Sequence, residues 1–157
     1  MQFPRVSGSN LQRQKIELPQ GFEGGQNLVL IAFQQWQQTQ VDTWLRFARQ
    51  LEDSHPTMRY YELPTIRQLN ALARTFINEG MRAGIPDPVA RERTITLYVD
   101  KGAFREALQL SSEQEIQVML VDRQGKVSWR ESGMFTSEKA KSLAAAIREG
   151  SREDEVE

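Results

Sequence analysis

The stretch FQQWQQTQVDTW, from Phe33 to Trp44, ends an apolar run, NLVLIAF, in a tract that is almost all glutamine. A strand-to-helix corner with so much amide can do one kind of chemistry well. The first turn of a helix leaves backbone N–H groups unpaired, and glutamine side chains offer both donors and acceptors. Gln37 and Gln40 could therefore meet the backbone of an extended peptide, with Trp36 beside them as an aromatic anchor. Trp129, in a second polar segment, is a further candidate anchor. A simpler reading competes with this one: the glutamines are solvent-facing residues without a task, and Trp129 packs across its hairpin onto the last helix.

Other chemistries find little support. The chain has no cysteine, so it has no disulfide, thiolate zinc framework or cysteine nucleophile. The single histidine, His55, stands beside Pro56 in a loop and reads as a surface residue. No GxSxG, GxxxxGK[ST] or HExxH occurs, and no GxGxxG follows a strand; the glycine cluster GFEGG precedes a strand where a phosphate loop should follow one. Glu52 with Asp53, and Glu153 to Glu155, are sequence neighbours on a helix end and a tail, and read as solvated. Tyr60 and Tyr61 alternate across a strand, one in and one out. No catalytic residue, cofactor or metal is expected.

The chain has 157 residues, 39% hydrophobic and 26% charged. That is one ordinary domain, which buries roughly 70% of the surface its unfolded chain would expose. The net charge of −1 provides no overall field for nucleic acid or an anionic bilayer. MQFPRVSGSN shows neither a signal nor a transit pattern, so a cytoplasmic address, no membrane insertion and a prokaryotic source are expected.

The elements that must position the corner follow from periodicity. Asn27 to Phe33 reads as a central strand covered on both faces. Val41, Trp44, Leu45, Ala48 and Leu51 form one helical stripe, with Thr39 as its cap. MRYYELP is a second strand. Thr65 with Gln68 makes a capping box, after which Ile66, Leu69, Ala73, Phe76 and Ile77 form a second helical stripe that ends before IPDP. TITLYVD is a third strand and KGAFREALQL a short helix with Phe104, Ala107 and Leu108 on one side. EIQVMLVD and KVSWRESG flank a turn at Gly125, a hairpin signal. A last helix from about Ser137 to Glu149 buries Ala140, Leu143, Ala144 and Ile147. Helices between the first strands imply parallel crossovers, and the hairpin adds an antiparallel pair.

That order, with an aromatic-ended strand and a Trp before a helix, resembles the thioredoxin-like fold of peroxiredoxins and thiol reductases. The family pattern continues Trp-Cys-x-x-Cys; here WQQTQ places Gln37 and Gln40 at the cysteine positions. The cis-proline expected before QVMLVDRQGKV is also missing, with Glu115 or Ile116 in its place. Within that superfamily the chain is similar to the mitochondrial ATP synthase assembly factors, the family named for the tenth ATPase assembly protein, and their prokaryotic relatives. NLVLIAF, ELP, IPDP, TITLYVD and LVDRQGKVSWRESG followed by TSEKAKSLAAAI carry this likeness, with Asp122, Gly125, Trp129 and Gly133 the most specific spacing.

The resemblance implies an α/β, three-layer thioredoxin-like sandwich with a mixed sheet, a C-terminal hairpin and flanking helices. It also implies a non-catalytic domain that binds another protein, such as an ATP synthase membrane subunit, as an assembly factor or chaperone. Residues 1–26 would be an N-terminal extension of short strands and a loop, 27–149 the domain and 150–157 a disordered acidic tail. A small-molecule binder or thiol-independent enzyme in the former cleft, with an acid such as Glu115 near Gln37, is the alternative; a homodimer through a strand edge is a third possibility.

Overall fold

The computed structural model describes the backbone of residues 1–156 and the side chains of residues 1–152. Its strands are β1 (Val6–Asn10), β2 (Lys15–Leu18), β3 (Gln26–Ala32), β4 (Met58–Arg67), β5 (Ile95–Val99), β6 (Gln117–Val121) and β7 (Val127–Ser132). Its helices are α1 (Gln38–Ser54), α2 (Ala71–Gly84), α3 (Pro88–Arg93), α4 (Lys101–Ala107) and α5 (Ser137–Val156). The strands form one seven-stranded sheet in the order β2-β1-β5-β4-β3-β6-β7. β3, β4 and β5 pair in parallel, as helical crossovers require, while β6 and β7 pair antiparallel with β6 against β3.

β3 shows why the sheet sits in the middle. Leu28 and Leu30 face one side, where Val41, Trp44, Ala48 and Leu51 of α1 and Leu143 and Ile147 of α5 cover them. Val29 and Ile31 face the other, against Phe3, Phe22, Phe104 and Leu108. Side chains alternate along a strand, so an unbroken apolar run supplies two cores at once. Residues 1–26, set apart in the sequence as an extension, contribute Phe3, Leu18 and Phe22 to the second core, and β1 pairs with β5.

Several elements differ from the sequence expectation. Thr65 does not cap a helix: β4 continues through it, buries it and pairs it with Leu97 of β5. Strand pairing outweighs a local cap signal, and Asn70 caps α2 instead, its Oδ1 accepting from the amide of Ala73 at 2.9 Å. Thr39 lies inside α1, which is entered through a 3-10 turn at Gln35–Gln37. Of the apolar stripe expected for the second helix, Ile66 belongs to β4 and Leu69 precedes α2, while Ala73 and Ile77 are half-buried and Phe76 is exposed. None of the residues of α2 is buried, and Leu72 and Phe76 are 82% and 81% exposed.

α3 occupies a segment read only as a stop; Asp87 caps it and Pro88 takes the first turn, where its missing N–H costs nothing. The last helix runs past Gly150 to Val156. Of the tail expected to be disordered, the side chains of residues 153–157 and the backbone of Glu157 lie outside the described residues. No helix among the described residues is long and apolar enough to cross a membrane.

Candidate functional site

The corner between β3 and α1 holds the residues singled out above, but the structure divides them. Gln37 is fully buried, with 0% exposure. Its Oε1 accepts from the amides of Phe33 and Gln34 at 2.8 and 3.2 Å, and its Nε2 donates to the carbonyl of Glu113 at 2.5 Å. Gln40 is half-buried, and its Oε1 accepts from the amide of Ile116 at 3.2 Å. Both amides thus reach from the start of α1 to the loop 113–116 before β6. Gln37 therefore departs from the expected surface position: a strand end and a loop each carry backbone groups that need partners, and its side chain supplies both kinds.

Charge closes the same corner. Glu113 lies 2.8 Å from Lys101 Nζ, and Gln34 Nε2 donates to the same carboxylate at 2.8 Å. Arg105 Nε stands 3.0 Å from Glu113 Oε2, a charge contact, since the geometry leaves that nitrogen without a hydrogen bond. Lys101 Nζ also donates to the carbonyl of Phe33 at 2.7 Å. Composition and motif reading missed Lys101, Arg105 and Glu113. The signal that could have found them is that KGAFR presents two cations on one side of a short helix, four residues apart.

The aromatic candidates separate as well. Trp36 is 54% exposed at the lip of the corner. Trp129 is half-buried across the sheet: its Nε1 donates to Ser142 Oγ at 2.9 Å, and its ring meets Trp44 edge-to-face at 6.4 Å. Trp44 donates to the carbonyl of Gly133 at 3.0 Å and packs on Phe135 at 5.3 Å. Gly133 adopts φ of +80°, a left-handed conformation that suits glycine. Trp129 is thus tied into the hairpin-to-α5 packing.

A shallow groove of about 390 Å³ runs beside the corner, lined by Gln109, Ser111, Ser112, Gln114, Glu115 and Gln117 among others. Glu115 is exposed there and faces solvent. The perturbed acid of this region is Glu62 on β4, under the start of α1. Burial raises its pKa above the usual carboxylate value; the amide of Gln38, donating at 3.2 Å, opposes that, and Asp42, held by the same Gln38 at 3.0 Å, adds to it. Among the described residues, no three His, Asp or Glu side chains converge in a way that could hold a metal ion.

The architecture is shared with solved structures. It superposes on the exposed lipoprotein thioredoxin Etrx1 of Streptococcus pneumoniae with a TM-score of 0.60 at 10% identity, covering 92% of this chain and 99% of that one. The thioredoxin domain of a thiol-disulfide oxidoreductase from Bacteroides vulgatus gives 0.59 at 14% identity, covering 92% and 94%. BsSco, described as a member of the Sco family of cytochrome c oxidase assembly proteins, gives 0.63 at 10% identity, covering 96% and 94%. The fold is thioredoxin-like. None of the curated proteins is a significant match in sequence. Residues 1–149 match the family described as ATP10 protein.

Proposed function

The chain belongs to the ATP10 protein family of ATP synthase assembly factors, and on that premise we propose that it works by binding another protein, with no covalent step of its own. The observation that carries this reading is the occupation of the corner. The positions where the family pattern of thiol reductases has cysteines hold Gln37 and Gln40, and both amides are engaged by the loop 113–116. Side chains used in this way are braces. What the corner leaves exposed includes Trp36 at its lip, a residue type enriched among interface anchors.

The partner we propose is a membrane subunit of ATP synthase. A photo-crosslinking residue at position 36, with the same residue at position 151 on α5 as control, tests this in cells that make the protein. Capture of one synthase subunit at 36 alone is the expected result. Equal background at both positions rejects it. The competing reading, a small ligand in the groove beside Glu115, is disfavoured by geometry: the groove is shallow and polar, and its carboxylate faces solvent.

A further inference from the structure

The residues of α2 carry an apolar face with nothing on it. Leu72, Phe76, Gly80 and Ala83 follow one another at i, i+4, i+8 and i+11, one stripe along a helix, and all are exposed. A Cβ added at Gly80 would meet no atom within 4 Å. The stripe is therefore two large side chains followed by a notch. The rest of α2 is held to the domain by polar contacts. Tyr98 Oη donates to Asn78 Oδ1 at 2.7 Å, Arg13 pairs with Glu79 at 2.8 Å, and Arg82 Nη1 donates to the carbonyl of Leu11 at 2.7 Å. The helix is anchored without using Leu72 or Phe76, while Ala73, Ile77 and Met81 are half-buried.

The surroundings are basic. Arg74 sits over the ring of Tyr98 at 6.0 Å, Arg82 bonds Leu11 and Gln12, and Arg91 donates to the carbonyls of Ile85 and Arg82 at 2.6 and 3.0 Å. Among the described residues, neither these guanidiniums nor that of Arg67 has a carboxylate within ion-pair distance; Glu79 is taken by Arg13. Three occupants can be weighed against these facts. A second copy would bring two such positive surroundings together, which like-charge repulsion opposes. A membrane surface uses many guanidiniums that are free to reach headgroups, whereas Arg82 and Arg91 are held by carbonyls, which leaves Arg67 and Arg74. A helix fits both features, since ridges and notches interdigitate and small residues allow close approach.

We propose that the exposed face of α2 docks an apolar helical segment of another protein, whose flanking carboxylates answer the exposed Arg67 and Arg74. This rests on the protein-binding reading above and assigns it a surface distinct from the Trp36 corner.

The test places the photo-crosslinker at Phe76 in the full chain, beside the Trp36 and Ser151 positions, and maps the captured residues by mass spectrometry. The expected crosslink from Phe76 lies in an apolar run of another protein with Asp or Glu at its ends. Arg67→Glu combined with Arg74→Glu should lower that yield at least about tenfold, the scale of a lost hot-spot contact, with the melting temperature of the variant measured to show that it folds. Crosslinks to lipid, to a second copy of the chain or to a basic segment each overturn the proposal, as does a Phe76 yield no higher than at Ser151. Capture at Trp36 with none at Phe76 removes the α2 surface and keeps the protein-binding reading; capture at neither position removes both.

Discussion

Gln37 Nε2 lies 2.5 Å from the carbonyl oxygen of Glu113, while the oxygen of the same amide takes the N–H groups of Phe33 and Gln34. One buried side chain thus satisfies three backbone groups belonging to a strand end and a distant loop. Gln37→Ala leaves all of them without a partner. A buried orphan costs about 1–3 kcal/mol, so chemical denaturation should show a loss of at least about 2 kcal/mol, allowing for water entering part of the gap. Gln37→Glu is the sharper comparison. It keeps the acceptor for Phe33 and Gln34, loses the donor to Glu113 and adds a charge near the Glu113 carboxylate, so it should be no more stable than the alanine variant. A neutral outcome for Gln37→Ala would show that the amide is not a brace.

Glu113 is the next link in that corner. Its carboxylate sits between Lys101 and Arg105 with a side chain only 18% exposed. Removing one member of a largely buried ionic group leaves the others unpaired, which costs about 3–5 kcal/mol. Partial exposure moves the expectation to the lower end: Glu113→Ala should lose about 2–3 kcal/mol. Lys101→Met, which keeps the stem and leaves Arg105 as a partner, should lose less. Equal losses would contradict the shared-carboxylate geometry.

Glu62 gives the protein a pH dependence with a definite sign. Its folded-state pKa is raised, chiefly by burial, so the folded chain binds that proton more tightly than the unfolded chain. The contribution to stability is then fully present below the unfolded carboxylate pKa and is lost as pH rises through the raised folded value. Glu62→Gln removes the titration while keeping the shape and an acceptor for Gln38. The variant should match the parent in acid and become the more stable of the two as pH rises through that window, read as a difference between melting temperatures across a pH series. A difference that stays constant with pH would mean that Glu62 does not titrate in this range.

Trp129 tests the hairpin. Trp129→Phe keeps most of the ring contact with Trp44 but loses the donor to Ser142, and an ordinary hydrogen bond contributes about 0.5–1.5 kcal/mol. Trp44→Ala, in a fully buried site, should lose about 3–5 kcal/mol. If Trp129→Phe instead abolished partner capture with stability unchanged, the ring would be an interface anchor.

What the sequence made legible follows from where a residue's own pattern decides its place. β3 and α1 were readable because a doubly covered strand is apolar throughout and a half-covered helix is apolar every third or fourth residue. The β6–β7 hairpin was readable because Gly125, at φ of +93°, occupies a turn position that suits glycine. Thr65 misled because a capping box is a four-residue signal, whereas its partner Leu97 is far along the chain. The same limit hid the burial of Gln37: nothing in WQQTQ announces a carbonyl at Glu113. The likeness to a fold with a paired-cysteine corner drew attention to this corner, and only the distant loop shows that it is braced.

The helix expected at α2 is there, but the burial expected of Phe76 is reversed, and with its neighbour Leu72 it carries the last prediction. A helical stripe normally signals burial, and an isolated core position of this kind loses about 2–5 kcal/mol when Leu or Phe is cut to Ala. At Leu72 and Phe76 that loss should be missing. With more than four-fifths of each side chain in water, Leu72→Ala and Phe76→Ala should each change stability by no more than about 0.5 kcal/mol, as surface substitutions do. Phe76→Ala should, if anything, add slightly to helix propensity. Measured by denaturation of the isolated chain, this separates a face kept apolar for folding from one kept apolar for something outside the fold. A loss of about 2 kcal/mol at either position would place α2 against the core and return the stripe to structure. Unchanged stability leaves its apolar character without a role in the monomer.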